Sequence, residues 1–170
     1  MCHKSKVKEF KERILHHIKS MYGINSTDPK TWKYNPEVGK IVANFHLERI
    51  EGLIKEVEAS DTAKILLGGS DKIDKENLYV CPTIVENPPM SSKIMNEELF
   101  APILPILTYD NFNTEVLENQ IRRLDKPLAI YYFGAGSDQA YIDLVDKTSS
   151  GALSLNDIQM QVLATECGFG

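Results

Sequence analysis

Three apolar runs in the second half of the chain constrain its fold most. They are ILPILTY (Ile103 to Tyr109), LAIYYF (Leu128 to Phe133) and ALSLN (Ala152 to Asn156). A strand with one face in water alternates apolar and polar residues, whereas a nearly continuous apolar run belongs to a strand covered on both faces. Helical patterns separate these runs. Thr114 to Arg123 is one predicted helix, and SDQAYIDLVDKTSS is another, with Ser137 or Asp138 as N-cap and Gly151 after its end. This order predicts an α/β fold built on a mostly parallel sheet covered by helices. Right-handed crossovers then place the strands side by side.

The first half adds helices and turns. Val7, Phe10, Ile14, Ile18 and Met21 recur at three- and four-residue steps, predicting a helix from Lys4 to Tyr22 that stops at Gly23. His16 and His17 lie within it about 100° apart, so they cannot share one metal ion from a regular helix. In the polar loop INSTDPKTWKYNP, Trp32 and Tyr34 are expected to pin the chain to the body. A second helix is predicted from about Val38 to Glu58, its buried stripe formed by Ile41, Val42, Phe45, Ile50, Leu53, Ile54 and Val57. AKILLGG reads as a short strand closed by a tight turn at Gly68 and Gly69; it lacks the full glycine-rich fingerprint of a phosphate loop. YVCPTIV (Tyr79 to Val85) alternates like a strand, but Pro82 has no N–H to donate and belongs at an edge or bulge. Cys81 within it reads as a small buried apolar residue rather than a nucleophile.

Composition narrows the function classes. A chain of 170 residues suits one domain that buries roughly 70% of its unfolded surface. A net charge of −5 implies no general affinity for nucleic acid or an anionic membrane, although a local site can still oppose it. Cys2, Cys81 and Cys167 show neither CxxC spacing nor a paired framework, which points to a reducing compartment. No apolar run approaches ~20 residues, and MCHKSKVKEF has no signal-peptide core. The expected location is therefore cytoplasmic; a membrane-associated place on the cytosolic side is implied only by the family resemblance that follows. No metal-ligand pattern is present.

One stretch poses a chemical question. EELFAPILP (Glu97 to Pro105) runs two carboxylates into an apolar strand. Taken alone, they are either a solvated turn or a ligand for a diol. Four segments in order then resemble the aldehyde dehydrogenase superfamily, most closely its class 3 or fatty-aldehyde branch. VGKIVANFHLERIEGLI is similar to that branch's G-R-I-I-x-x-x-H-F-x-R-L, and PTIVENPPMSSKIMNEELFAPILPI to its P-T-[IV]-L…P-V-M-Q-E-E-I-F-G-P-[IV]-L-P-I. DKPLAIYYF is similar to K-P-L-A-L-Y-x-F, and TSSGALSLNDI to T-S-S-G-G-V-x-x-N-D-V. The resemblance spans essentially all of residues 1–170 and implies a single partial catalytic domain. It implies NAD or NADP as cofactor, an aldehyde as substrate of the complete enzyme, and a homodimer.

By the same resemblance Glu98 grips the nicotinamide ribose and Phe100 packs beside the nicotinamide. The chemistry is sensible, because a vicinal diol offers two O–H donors and an ionised carboxylate two acceptor oxygens. Asn156, with Asp157, matches a pair near the substrate entrance; both are also turn formers in their own right. His46 matches a family histidine and reads more readily as a boundary residue with a satisfied ring.

No catalytic residue is assigned. The family's thiolate sits in a G-Q-x-C-x-A segment, and no such segment occurs here. Cys2 has no Gly-Gln before it, and Cys167 lies in ECGFG, where only Phe169 and Gly170 match the family's F-G. Ala101 and Ala152 each stand where the family has glycine. The chain is expected to be a fragment of an NAD(P)-dependent aldehyde dehydrogenase, without the nucleophile, general-base glutamate and dinucleotide-binding half, and inactive alone. The alternatives are a non-catalytic interaction or dimerisation remnant of the family, and an unrelated small α/β binding module.

Overall fold

The computed structural model describes residues 1–24, 35 and 37–163. The readings made on Trp32, Tyr34, Cys167, Phe169 and Gly170 lie outside the described residues. The chain divides into two compact units, Met1–Thr108 and Tyr109–Gly170.

In the first unit, β1 (Cys2–His3) is tied by the Cys2 N–H to the Leu107 carbonyl at 2.8 Å. Helix α1 (Val7–Tyr22) ends at Gly23, which adopts a φ of 68° and donates its N–H to the Lys19 carbonyl, the glycine stop expected from the sequence. The apolar stripe of α1 has the predicted spacing, yet none of its residues is buried.

Helix α2 (Asn44–Glu58) starts later than the predicted Val38. The preceding segment is held extended: the Ile41 N–H donates to the Leu78 carbonyl at 2.8 Å, and Ala43 has a φ of −157°. Val42 and Phe45 are consequently exposed, at 85% and 66%, instead of lining the core. The stripe that is buried comprises Leu47, Ile50, Leu53, Ile54 and Val57. These side chains form one cluster with Val80, Val85, Ile94 and Ile103. Each buried Leu, Ile or Val contributes about 1.5–3 kcal/mol relative to exposure, so α2 is the element around which this unit condenses.

The sheet beneath α2 has the order β2 (Lys64–Leu67), β5 (Thr83–Glu86), β6 (Ile103–Ile106). β5 runs antiparallel to β2 and parallel to β6, with Thr83 opposite Ile103 and Glu86 opposite Ile106. β3 (Ile73–Asp74) and β4 (Tyr79–Val80) form a short antiparallel pair. Cys81 and Pro82 separate β4 from β5, so Pro82 falls where no ladder requires its N–H. β7 (Thr108–Tyr109) lies where the first unit ends.

The second unit opens with a π-helical segment, Phe112–Ile121, in place of the α-helix predicted from Thr114 to Arg123. Its wide turn shows in the bond from the Arg122 N–H to the Leu117 carbonyl at 2.9 Å. The Asn111 side chain caps its start by accepting from the Thr114 N–H at 3.0 Å. β8 (Ala129–Tyr132), α3 (Gln139–Lys147) and β9 (Ala152–Leu155) make a strand–helix–strand unit whose strands pair in parallel from Ala129–Ala152 to Tyr132–Leu155. α4 (Met160–Leu163) follows.

The fold is thus α/β with parallel strand pairs, as read from the sequence. The expectation of one ladder through all three apolar runs is corrected: β6 belongs to the β2–β5–β6 sheet and β8 pairs with β9. The apolar pattern encodes burial and parallel sense, not which strands are neighbours. At the ends of the last two runs Leu128, Phe133 and Leu155 are exposed.

Candidate functional site

The stretch from Asn87 to Pro102 leaves the end of β5 and returns to the start of β6, and nearly every part of it is tied down. The Asn87 N–H donates to the Ile106 carbonyl at 2.8 Å. Ser92 donates to the Pro89 carbonyl through both its N–H, at 3.0 Å, and its hydroxyl, at 2.6 Å. Lys93–Met95 forms a 3₁₀ turn that drives Ile94 into the core under α2. The Asn96 amide donates to the carbonyls of Met90 and Ser92 at 2.7 and 2.8 Å, closing the loop on itself. Helix α2 then holds the loop from above. The Lys93 N–H donates to Glu56 Oε1 at 3.0 Å, and the Arg49 guanidinium donates to the Leu99 carbonyl. At the far end the Thr83 N–H donates to the Pro102 carbonyl at 2.8 Å.

Within this frame the residues alternate. Leu99 and Ala101 pack against the α2 cluster, while Glu98 and Phe100 face outward. Phe100 is 81% exposed and has a φ of 42°, a left-handed conformation that costs a non-glycine residue on the order of 1–3 kcal/mol. An exposed phenyl ring on a strained backbone gives the fold nothing by burial. Strain of this kind concentrates at ligand-contacting positions. Ala101, where glycine was the family expectation, is not among the residues with positive φ. Its methyl therefore costs no backbone strain, and the left-handed residue is its neighbour. The Glu98 carboxylate forms no ion pair among the described residues and presents two acceptor oxygens to solvent.

Asn156 is placed differently. It sits in the second unit just past β9, with a φ of 57°. Its N–H donates to the Tyr132 carbonyl at 2.7 Å. Its side-chain amide exchanges two bonds of 2.9 Å with the backbone of Gly134, accepting from the N–H and donating to the carbonyl. The side chain therefore extends the β8–β9 ladder by one imitation residue. A turn-forming role accounts for these bonds without any ligand. His46 lies against Phe45 with ring centroids 4.0 Å apart on α2.

Cys81 is 2% exposed, and burial pushes its thiol above the ordinary range, with the Tyr79 hydroxyl pulling weakly the other way. A thiol in that state is a core residue, as its sequence context indicated. Among the described residues no group of His, Cys, Asp and Glu is arranged to hold a metal ion. Arg49, Glu56 and Asn96 were missed by motif reading. The one available signal was spacing: Arg49 and Glu56 stand about two helical turns apart and so lie on one side of α2.

The model of the aldehyde dehydrogenase family matches residues 1–162. Aldehyde dehydrogenase family 3 member F1 of Arabidopsis thaliana is 36% identical over 153 residues, covering 90% of this chain and 29% of that protein. Aldehyde dehydrogenase family 3 member A2 of Mus musculus is 31% identical over 170 residues, covering 100% of this chain and 32% of that protein. Among solved structures, Staphylococcus aureus AldH in a substrate-bound state superposes with a TM-score of 0.83 at 27% identity, over 99% of this chain and 33% of that one. The chain spans about a third of the length of each of these relatives. With class 3 members among its relatives and the fold of the matching region shared, the chain belongs to the aldehyde dehydrogenase family.

Proposed function

We propose that this chain carries the part of an NAD(P)-dependent aldehyde dehydrogenase that holds the nicotinamide ribose, with Glu98 as the diol ligand and Phe100 beside the nicotinamide. The observation that carries this reading is the outward alternation of Glu98 and Phe100 on a loop fixed at its other positions. A carboxylate without a protein partner among the described residues suits two hydroxyl donors, and the exposed ring suits the flat face of a heterocycle. NAD or NADP, when bound, accepts the hydride that leaves the substrate. In the whole protein an aldehyde becomes a carboxylic acid through a thiohemiacetal on a cysteine, whose Gly-Gln-x-Cys context does not occur in these 170 residues. The chain by itself is inactive on this reading, and Asn156 serves the fold rather than the substrate.

A second reading is favoured by the exposed apolar residues of the second unit, among them Leu128, Phe133 and Leu163. It holds the chain to be a non-catalytic interaction or dimerisation module of the family.

Two measurements test the proposal. The purified chain with NAD or NADP and a medium-chain aldehyde is expected to give no reduced cofactor; turnover would show that a cysteine within it acts as nucleophile. In a reading frame that joins this chain to a Gly-Gln-x-Cys segment, Glu98→Gln is expected to weaken cofactor binding about tenfold, the worth of one charge-assisted hydrogen bond. Unchanged cofactor affinity there removes Glu98 from the site, and absence of such a frame favours the interaction module.

A further inference from the structure

We propose that Arg49 is the positioning residue of the Glu98–Phe100 segment: reaching from α2, its guanidinium holds the Leu99 carbonyl and so fixes where the flanking carboxylate and ring project. The clamp itself stands on geometry, and its functional meaning rests on the reading of Glu98 as the ribose ligand.

The Leu99 carbonyl belongs to the peptide plane that joins Leu99 to Phe100. Holding that oxygen fixes the plane, and the plane sets φ at Phe100, the residue found at 42°. A left-handed phenylalanine persists only where its surroundings enforce it. Its ring is exposed and enforces nothing, so the constraint must reach it through the backbone. Upstream, the Glu97 N–H is taken by the Lys93 carbonyl at 2.9 Å; downstream, the Ala101 carbonyl takes the Ile103 N–H at 2.8 Å. Between those points the Arg49 bond is, among the described residues, the hold on the tip. Packing of Leu99 and Ala101 against the α2 cluster sets the height of the tip, and the guanidinium sets its rotation.

Arginine is suited to this task. Its planar fork is always charged and loses little freedom on binding a fixed carbonyl, whereas a lysine ammonium on its flexible stem does not define the orientation of the plane. Glu56, about two turns further along α2, accepts the Lys93 N–H at 3.0 Å. One side of α2 thus grips the loop at two points on either side of the Asn96 staple. Arg49 acts through Leu99 and has no part in the chemistry itself.

The experiment uses the 170-residue chain. Amide order parameters from Leu99 to Ala101 and the carbonyl carbon shift of Leu99 are measured in the unaltered chain, in Arg49→Met and in Arg49→Lys. Arg49→Met is expected to move the Leu99 carbonyl shift and to lower the order parameters at the tip from about 0.85 to below about 0.6. The signals of β5 should stay in place, and Arg49→Lys should restore part of the order. If Arg49→Met does not fold, the Arg49→Lys carbonyl shift still reads the bond, because lysine keeps the aliphatic stem and the charge. A Leu99 shift and tip order unchanged in every variant that folds would overturn the inference.

A second arm separates this inference from the ribose reading. NAD+ binding is followed by saturation transfer in the unaltered chain, Arg49→Met and Glu98→Gln. Parallel losses of about tenfold in both variants support the clamp and the reading together. A loosened tip with NAD+ binding unaltered in both variants supports the clamp and removes the ribose reading alone.

Discussion

Single residues in this chain show how local chemistry sets local stability. Tyr132 donates to Asp138 Oδ2 at 3.0 Å, and the same carboxylate oxygen accepts the Ala135 N–H at 2.8 Å. Partial burial first, then the hydrogen bond and charge of Asp138, push the Tyr132 hydroxyl up to about 12. The folded state therefore favours the neutral phenol relative to the unfolded chain, whose tyrosines titrate near 10. Its stabilising effect is fully present below about pH 10 and is lost as pH rises through about 12. Tyr132→Phe is expected to lower stability at neutral pH by about 1 kcal/mol, the net worth of one hydrogen bond, and to flatten the alkaline loss in that window. Urea midpoints measured against pH for both proteins check this, over a background slope to which Tyr79 and Cys81, both raised by burial, contribute. An identical alkaline slope in Tyr132→Phe would mean that Asp138 does not hold the hydroxyl. Asp143 works at the acid end. The Gln139 amide and the Lys147 ammonium, at 2.8 and 3.0 Å, hold its carboxyl below the usual range, so its contribution is present above the ordinary carboxylate pKa and fades as pH falls below it.

At the scale of elements, the glycines show why two residues of one kind respond in opposite ways. The turn after β2 has Gly68 at a φ of 79°, where an added Cβ would lie 2.3 Å from Thr83 Oγ1 and 2.7 Å from the Pro82 carbonyl oxygen. Gly52, in the middle of α2, is exposed and would meet nothing within 4 Å. Gly68→Ala is expected to cost about 3 kcal/mol from backbone strain and overlap. Gly52→Ala is expected to stabilise by about 0.5–1 kcal/mol, because alanine gives up less backbone freedom in a helix. Thermal melts of both variants decide this, and equal effects of the same sign would refute it. The same elements show what was legible in advance. The glycine stop of α1, the break at Pro82 and the strand–helix–strand at β8–β9 are local events, each written in a few adjacent residues. The start of α2 was misread because the segment before it is pulled extended by Leu78, far away in sequence. The α-helix expected from Thr114 is π-helical, a choice between hydrogen-bond partners one residue apart that the apolar pattern does not record. The outward pair Glu98 and Phe100 could be found by resemblance, but the hold of Arg49 on Leu99 joins residues 50 apart in sequence and needed the fold.

For the whole molecule, the distribution of burial decides behaviour. The described core gathers in the first unit around α2, where Ile50, Ile54 and Val85 are fully enclosed. Among its described residues the second unit has one pair of parallel strands, and a two-stranded sheet is marginal unless its apolar face is packed. Phe133 and Leu163 there are exposed at 64% and 72%, and among the described residues no third strand pairs with either edge of β8–β9. Unpaired strand edges invite pairing with another chain, and contiguous apolar surface favours association because its removal from water is worth about 25 cal/mol per Å². The net charge of −5 opposes this weakly and is screened within about 10 Å at ordinary ionic strength. Self-association is therefore expected. In sedimentation velocity the weight-average coefficient should rise with protein concentration, and added salt should strengthen the effect by screening the repulsion. Phe133→Lys and Leu128→Lys together should shift the chain towards monomer, since they place like charges on the exposed strand ends. Native-state hydrogen exchange provides the matching internal comparison: amides of β5 should exchange far more slowly than those of β8 and β9. A concentration-independent monomer with equal protection in both units would show that the exposed strands need no partner, and would leave the interaction-module reading without support.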